Sequence, residues 1–314
     1  MVLDGGWQEA VAIIVDLAVV ILNWNAADDT IGCIRQLSAW EKLRAAIWVV
    51  DNASADNSAS TIARHYPAVH LLRNERNLGF SGGSNRGMAA ALAAGDQPIL
   101  LLNNDAFIGE AAACRLLQTL REDDTIGLVA PLLFDAGEEG RLLSAGGKNP
   151  VKHHQTRVVK TPESPVFNVE AVSGTAVLIR AAVLRQVGLL DERYFFSTEM
   201  ADLCFRARRH GYRSAVDARA HAFHDVGRSS PLRDTLYAYY VVRNRFLFMH
   251  IHYRRHPALY SFWTLYTLAL WLKLLASGRR QAACAIRLGL ADGLRGRFGG
   301  QNERVLATCA HRAG

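Results

Sequence analysis

The sequence has 314 residues, of which 50% are hydrophobic and 21% are charged, so it is long enough for one large globular domain and an appendage. Its five cysteines form no CxxC pair, so we expect neither a zinc site nor a disulfide framework and favour a reducing compartment. The net charge is +7. Residues from 236 onward contain twelve Lys/Arg and two Asp/Glu, a charge of +10, so the first 235 residues carry −3. An anionic partner is therefore expected at the C-terminal end.

Strands and helices alternate along the first 222 residues. The apolar segment 11–22 contains Asp16 and lacks a preceding basic stretch, so we predict no secretory signal there and a buried strand over 17–22. Further strands are predicted at 47–50, 69–72, 99–102, 128–134 and 214–222. Helices are predicted at 30–43, 58–65, 84–94, 180–187 and 202–210. This alternation predicts a doubly wound, mostly parallel α/β sheet with helices on both faces.

Polar residues follow the strand at 99–102, which is apolar throughout. Asn103, Asn104 and Asp105 come directly after it, where open parallel sheets bind their ligands. A carboxylate at such an edge suits a hard cation, and a hard cation suits a diphosphate. Taken alone, the segment is equally consistent with a polar turn, because Asn and Asp favour turns.

The loop after the second strand begins with Asp51 and Asn52. A carboxylate at this position can accept a hydrogen bond from the imide N–H of uracil or thymine; the alternative is an Asx turn that caps the next helix. Segment 77–85 is rich in glycine and opens a helix, whose N-terminus attracts phosphate. It matches neither GxGxxG nor a P-loop, and a plain loop-to-helix turn remains the alternative.

Two further groups of residues can carry chemistry. Glu199 and Asp202 are three residues apart, share a helix face, and can take a proton from an attacking hydroxyl. The alternative is an acidic first turn that complements the helix dipole. His221 and His224 lie at the end of a predicted strand, where one neutral histidine can ligate a metal, although a lone histidine is more often structural.

The order of these segments resembles a known family. Seven blocks, in this order, are similar to blocks of the family 2 glycosyltransferases with a GT-A fold. They are VILNWN, VVDNASADNS, NLGFSGGSNRGM, LLNNDAF, VSGTAVLIR, the acidic helix and HAFHDVG. Within that family, the rhamnosyltransferase-like branch of bacterial surface-polysaccharide synthesis is the most similar. The resemblance covers about residues 17–250 and rests on seven ordered blocks.

The resemblance implies a role for each site residue. It places Asp51 at the nucleobase and Asp105, with His224, at a Mg²⁺ or Mn²⁺ ion on the diphosphate. The acceptor side would be shaped by Ser173, Gly174 and Thr175. The nucleotide-binding residues would be Asn23, Asn52, Asn77, Gly79, Gly83, Asn85, Asn103 and Asn104.

The resemblance also implies the domain organisation. Residues 1–235 would form the catalytic domain, with a nucleotide-sugar half at about 17–125 and an acceptor half at about 126–235. The charge and apolar content of residues 236–314, rather than the resemblance, predict a helical, basic, membrane-associating region there. The polar stretch 136–165 has no clear pattern, and we interpret it as a functional loop or insertion, with an acceptor-side flap as one option.

Two departures from the family pattern affect the chemistry. Asn103-Asn104-Asp105 contains one carboxylate where a DxD-type metal motif has two. Met200 stands where the family's base carboxylate is usual, so we predict Asp202 as the base, with Glu199 as the second candidate. The implied activity is metal-dependent, inverting transfer of a sugar from dTDP-rhamnose or a UDP-hexose to a lipid-linked saccharide. The alternative is an impaired protein that only binds sugar nucleotides.

The C-terminal region contains an uncharged segment, 257–272, which is close to the length of a membrane span. Basic residues flank it on both sides, so a single span would export one basic flank. We therefore predict an in-plane or re-entrant amphipathic anchor on the cytoplasmic face of the plasma membrane, and no nucleic-acid partner. The residues predicted at headgroup level are Tyr260, Trp263, Tyr266 and Trp271. A buried helical pair is the alternative, and a nucleic-acid-binding tail is a weaker one.

Overall fold

A computed structural model describes residues 15–225 and 232–310. Residues 11–14 of the predicted N-terminal apolar segment and residues 226–231 of the predicted catalytic domain lie outside this description. The strands are β1 (Leu17–Asn23), β2 (Ala45–Asp51), β3 (His70–Arg73), β4 (Ile99–Asn103), β5 (Ala106–Ile108), β6 (Ile126–Asp135), β7 (Leu142–Ser144), β8 (Val166–Val169), β9 (Ala176–Ile179) and β10 (Arg213–His224). The helices are α1 (Ala27–Ser38), α2 (Ser58–His65), α3 (Gly79–Ala94), α4 (Glu110–Glu122), α5 (Ala181–Val187), α6 (Glu199–Arg209), α7 (Leu232–His252), α8 (Pro257–Ala276), α9 (Arg280–Arg295) and α10 (Asn302–Ala310), with a 3₁₀ turn at Glu192–Tyr194.

The strands form one sheet in the order β3-β2-β1-β4-β9-β6-β10-β5, with β7 paired to β6 and β8 paired to β10. The N-terminal half, β3-β2-β1-β4, is parallel throughout, as the alternation of strands and helices predicts. Antiparallel pairs enter with β9, which lies between β4 and β6. Every predicted strand is present, and its ends lie within two residues of the prediction.

Helices cover both faces of the sheet, as predicted. Alternate residues of β1 point to opposite sides: Leu17, Val19 and Ile21 pack with α1, α2 and α4, whereas Ala18 and Val20 pack with α3, α5 and α6. Both sets are fully buried, because a strand covered on two faces has no exposed side. The carboxyl ends of β1, β2 and β4 consequently meet at one edge of the sheet.

Helices α1, α3 and α6 begin three to five residues before their predicted starts, and α1 also ends five residues early. Helix α1 ends at Ser38 rather than at residue 43, because the backbone N–H groups of Lys42 and Leu43 donate to the carboxylate of Glu110 instead of continuing the helix. Helix α3 begins at Gly79, so most of the glycine-rich segment is helical. Its glycines allow close packing: a Cβ at Gly87 would lie 2.5 Å from Val20 Cγ1.

The C-terminal helices pack against each other and against the catalytic part. Helices α7 and α9 are in close contact, since a Cβ on Gly289 would lie 2.6 Å from the carbonyl oxygen of Tyr239. The predicted boundary between residues 235 and 236 falls within α7. This arrangement leaves α9 largely buried and presents α8 at the surface.

Helix α8 departs from the predicted amphipathic anchor. It is the one described helix long and apolar enough to cross a membrane, and only 11% of its most apolar window is buried, which rules out the buried helical pair for this helix. Apolar side chains occur on nearly all its sides, so it lacks a polar face. Trp263 cannot lie at headgroup level, because it is buried and donates to the carbonyl oxygen of Val151 at 2.9 Å.

Candidate active site

The polar residues at the strand ends form one hydrogen-bonded network. Asn23, at the end of β1, donates to Asp51 Oδ1 at 2.8 Å and accepts a 2.8 Å bond from the hydroxyl of Thr30. The amide of Asn104, which follows β4, donates to the same hydroxyl at 3.1 Å. The network joins the ends of three strands, and its hydrogen bonds occupy the side chain of Asn23.

Asp51 lines a shallow cavity of about 480 Å³ between β2 and β3. Its Oδ1 accepts from Asn23 and from the hydroxyl of Ser54 at 2.6 Å. Its Oδ2 accepts one long bond of 3.3 Å from the backbone N–H of Ser54. Oδ2 therefore has hydrogen-bonding capacity left for a ligand donor such as a base imide.

The other asparagines near this edge are held by the protein itself. Asn52 accepts from Asn74 and from the backbone of Leu78, and it donates to Asn77 and to the carbonyl of Gly79. None of these five residues except Asn74 lines either of the two cavities described here. Asn52 and Asn77 thus shape the loop that leads into α3.

Asn85 and the glycines of α3 also act through packing. Asn85 donates to the carbonyl of Leu190 at 2.9 Å and accepts from its N–H at 3.0 Å. Gly79 has a φ of 72°, and a Cβ there would clash with the carbonyl oxygen of Phe195. A Cβ at Gly83 would clash with the side chain of Leu22. These residues therefore set the position of α3 rather than presenting polar groups to a cavity.

A second cavity, of about 430 Å³, lies between the sheet edge and the C-terminal helices. The structure brings together in its wall residues that are far apart in the sequence. They include one predicted nucleotide-binding residue, all three predicted acceptor-side residues, one of the two candidate bases and one of the two predicted metal ligands: Asn103, Ser173, Gly174, Thr175, Glu199 and His224. Asp105, the other predicted metal ligand, does not line this cavity.

Asp105 and His224 lie together where the antiparallel pair β5–β10 ends. The pairing of Ala106 with His224 brings the imidazole beside the preceding aspartate, with Nε2 3.1 Å from Oδ1. Both atoms are buried, and neither has a well-oriented hydrogen bond. Adjacent ligands in an octahedral site with bonds near 2.1 Å lie about 3 Å apart, so the pair fits Mg²⁺ or Mn²⁺.

Two protein ligands do not complete such a coordination shell. Among residues 15–225 and 232–310 there is no group of three or more His, Cys, Asp or Glu side chains that can hold a metal ion. Mg²⁺ commonly takes one or two protein ligands and fills its other positions with water and substrate phosphate oxygens. The site is therefore suited to a cation that arrives with a diphosphate.

Glu199 combines burial with an unused carboxylate oxygen. The residue is 7% exposed, and its Oε2 is buried without a hydrogen-bond partner. Burial, with a smaller contribution from the charge of Asp202, raises the pKa of Glu199 to about 7. A carboxylate with a pKa near neutrality at a cavity wall has the properties of a general base.

Asp202 is held in ion pairs and does not line the cavity. Its Oδ2 accepts from Arg206 Nε at 2.7 Å, and its Oδ1 lies 2.7 Å from His252 Nε2 and 3.4 Å from the hydroxyl of Tyr194. All of these contacts are buried or nearly so. The geometry does not support the sequence-based preference for Asp202 as the base, because both of its oxygens are occupied by protein groups.

The loop before Glu199 has a strained backbone. Phe195, Ser197 and Thr198 all have positive φ, between 62° and 77°, which is unfavourable for residues with side chains. The side-chain amide of Asn244, on α7, donates to three carbonyl groups around this loop, with distances of 2.6–3.1 Å. Helix α7 therefore holds the segment that presents Glu199 to the cavity.

Arg243 reinforces the same segment. Its guanidinium donates to the carbonyls of Arg193 and Tyr194 at 3.0 and 2.7 Å, and also to that of Gly299. Sequence reasoning missed this role. The available signal was the polar run 243–245 inside an otherwise aromatic and apolar helix.

Comparison with protein families identifies the chain. The family model described as Glycosyl transferase family 2 matches residues 18–186, which is more than half of the sequence. The chain belongs to glycosyl transferase family 2. The matched region of this glycosyltransferase contains the strand-end network and Asp105, whereas Glu199, His224 and the C-terminal helices lie beyond it.

Individual glycosyltransferases resemble this one over most of their length. The low-salt glycan biosynthesis hexosyltransferase Agl10 of Haloferax volcanii is 24% identical over 74% of this chain and 75% of its own. N-acetylglucosaminyl-diphospho-decaprenol L-rhamnosyltransferase of Mycobacterium tuberculosis is 27% identical over 68% of this chain and 77% of its own. A solved structure, that of the mannosyltransferase PcManGT from Pyrobaculum calidifontis in complex with GDP-Man and Mn²⁺, also resembles this protein. The alignment has a TM-score of 0.56 and 16% sequence identity, and it covers 95% of this chain and 80% of that chain. The predicted GT-A fold is confirmed.

Proposed function

We propose that this glycosyltransferase moves a sugar, with inversion, from a nucleotide donor to a hydroxyl group of a lipid-linked saccharide in cell-surface polysaccharide assembly. The observation that carries the proposal is the unpartnered carboxylate oxygen Oε2 of Glu199, a residue in the wall of the cavity that also contains Asn103 and His224. A proton acceptor and a diphosphate-binding edge in one cavity are what direct displacement at a sugar carbon requires.

In the proposed reaction, the acceptor hydroxyl attacks the anomeric carbon from the side opposite the diphosphate. The hydroxyl oxygen forms the new bond, its proton goes to Glu199, and the bond from carbon to the diphosphate oxygen breaks with its electron pair on that oxygen. Asp51 orients the nucleobase, while Ser173, Gly174 and Thr175 shape the wall beside the acceptor. The buried surroundings of Glu199 restrict water, which would otherwise compete for the sugar.

Asp105 and His224 would hold Mg²⁺ or Mn²⁺ in this reaction. Their buried, otherwise unpaired ligand atoms support this assignment. The cation, when bound, neutralises charge that develops on the departing diphosphate. We further propose dTDP-rhamnose as the first donor to test and UDP-hexoses as the second, since one of the similar proteins is a rhamnosyltransferase.

The test is release of nucleoside diphosphate from a panel of sugar nucleotides, with membranes that contain lipid-linked acceptors. The expected result is acceptor-dependent release from one donor, which EDTA abolishes and Mg²⁺ or Mn²⁺ restores. Release that requires no acceptor would indicate a hydrolase. The impaired-binder alternative, motivated by Met200, predicts metal-dependent nucleotide binding without release. The unpartnered Oε2 of Glu199, next to Met200, argues against it.

We also propose that α8 attaches the protein to the cytoplasmic face of the plasma membrane. Twenty helical residues extend about 30 Å, and the apolar side chains of Phe262, Leu265 and Leu272 are 55–67% exposed. Lys273, Arg279 and Arg280 at its C-terminal end suit anionic headgroups. The proposal places the site at a surface where a lipid-linked acceptor is available.

Replacing Leu265 and Leu272 together by Asp is expected to reduce binding to anionic vesicles at least about tenfold, because two exposed leucines lose their apolar contact with the bilayer. The measurement is co-sedimentation with phosphatidylglycerol-containing vesicles. Leu294→Asp is the matched control, since Leu294 is 53% exposed on α9 and should leave binding unchanged. Equal losses in both variants would contradict a specific role for α8.

A further inference from the structure

Arg245, on α7, is a buried cation that has no acidic partner among the side chains that the structure describes. The residue is 7% exposed, its Nε donates to the carbonyl of Pro150 at 2.8 Å, and its guanidinium carbon lies 3.8 Å from the centre of the Trp263 ring. No carboxylate pairs with it among the residues whose side chains the structure describes. By contrast, Arg206 pairs with Asp202 and Arg304 pairs with Asp292.

A guanidinium in this position is stabilised when an anion joins it. Burial lowers the pKa of Arg245 to about 10, which still leaves the group charged at neutral pH. One backbone carbonyl and one aromatic face satisfy only part of its five N–H donors. The side chain also lines the cavity that contains Glu199, so an anion bound in that cavity can reach it.

The surroundings of Arg245 make this end of the cavity basic. Lys148, His154 and Arg157 also line the cavity, and Glu199 is its single acidic residue among the residues described. This end lies beside α8, because the ring of His154 is 6.5 Å from that of Tyr266, and Trp263 of α8 donates to Val151. The basic end is thus next to the exposed apolar helix.

We propose that Arg245, Lys148 and Arg157 bind the diphosphate that links the acceptor saccharide to its lipid. The inference rests on the proposed function, since it assigns the acceptor's anionic group to a site in the same cavity. Two guanidinium groups and one ammonium group match the negative charge of a diphosphate, and each planar guanidinium can donate to two phosphate oxygens at once. The saccharide would extend from this site toward Glu199, and the lipid would extend along α8.

The site is distinct from the donor diphosphate site. Asp105 and His224 are at the ends of β4 and β10, and a divalent cation is needed for them to bind an anion. Arg245, Lys148 and Arg157 are cations themselves and need no metal. Binding of a prenyl diphosphate in the presence of EDTA therefore isolates the proposed site from the donor site.

The first experiment measures the affinity of the full chain for farnesyl diphosphate and for farnesol in EDTA. Wild-type protein should bind the diphosphate at least about tenfold more tightly than the alcohol. Lys148→Gln, Arg157→Gln and Arg245→Gln should each reduce that preference several-fold. Arg35→Gln, on the exposed side of α1, is the control and should bind like the wild type.

The second experiment compares two acceptors, a sugar joined to farnesol through a diphosphate and the same sugar as an uncharged octyl glycoside. Arg157→Gln should raise KM for the first acceptor about tenfold and leave the second unchanged. Lys148 and Arg157 are exposed, so their variants test the proposal even where Arg245→Gln does not fold.

Three results would overturn the proposal. The first is equal wild-type affinity for farnesyl diphosphate and farnesol, and the second is an equal rise in the KM of Arg157→Gln for both acceptors. The third is loss of binding to phosphatidylglycerol vesicles in Arg245→Gln and Arg157→Gln. The last result would assign the cations to phospholipid headgroups. If the wild type transfers sugar to no acceptor yet prefers farnesyl diphosphate, the proposed function fails while the anion site stands.

Discussion

Replacing Glu199 by Gln is expected to reduce the turnover number by about 10²–10⁴-fold with little change in donor affinity. An amide of the same shape cannot accept the proton of the acceptor hydroxyl, and general-base catalysis typically contributes this much. The cavity wall should keep its shape, because Glu199 Oε2 has no hydrogen-bond partner to lose. The measurement is steady-state release of nucleoside diphosphate together with calorimetric binding of the donor.

The same assignment predicts the pH dependence of the wild-type enzyme. Because burial raises the pKa of Glu199 to about 7, its reactive carboxylate form increases as pH rises through 7. The ratio kcat/KM should therefore fall on the acid side of neutrality and level off above about pH 8. Glu199→Gln should lose this dependence.

Asp202→Asn serves as the control for the Glu199 variant. Removing the carboxylate charge leaves Arg206 and His252 without their acidic partner, which should reduce the free energy of unfolding by about 3 kcal/mol. Activity per folded molecule should stay within about tenfold of the wild type, since Asp202 does not line the cavity. A folded Asp202→Asn protein without turnover, alongside an active Glu199→Gln protein, would reverse the assignment.

Asp105→Ala is expected to reduce Mn²⁺-dependent binding of the nucleoside diphosphate about 10²-fold or more, and turnover with it. The substitution removes one of the two protein groups whose ligand atoms lie 3.1 Å apart in this part of the site. Electron paramagnetic resonance of Mn²⁺ in the presence of UDP measures the bound metal directly, so the result does not depend on catalysis.

Two histidines on β10 provide a matched pair for this prediction. His224→Ala should weaken Mn²⁺ binding in the same assay, because Nε2 is buried beside Asp105. His221→Ala should not, since His221 is exposed and its Nε2 lies 3.1 Å from the carbonyl of Ala218. Unchanged Mn²⁺ binding in both Asp105→Ala and His224→Ala would contradict the metal site.

The sequence by itself determined the N-terminal, parallel half of the sheet. Runs such as 17–22 and 99–102 are apolar at every position, which in this context indicates strands covered on both faces. Their alternation with helical segments requires parallel strands, and parallel strands bring Asn23, Asp51 and Asp105 to one edge. These conclusions need only local patterns and the geometry of crossover connections.

Only the tertiary structure decided which of the two candidate carboxylates has an oxygen without a protein partner. Glu199 and Asp202 lie on one helix turn, so their spacing in the sequence does not show which of them is the base and which is held in ion pairs. The difference comes from His252, fifty positions beyond Asp202, which approaches Asp202 and not Glu199. Burial and pairing depend on such distant partners, so no local pattern contains them.

The C-terminal helices show the same limit. Local composition marks 232–295 as apolar and basic, yet α7 and α9 pack into the protein while α8 remains exposed. The polar run 243–245 is visible in the sequence, but its contacts are with Phe196, Ser197 and Pro150, about 50 to 95 positions away. The sequence determined which elements form and at which sheet edge their polar ends meet. The packing of remote segments decided which side chains at that edge keep unpaired polar atoms, because burial and hydrogen bonding depend on the folded surroundings of each residue.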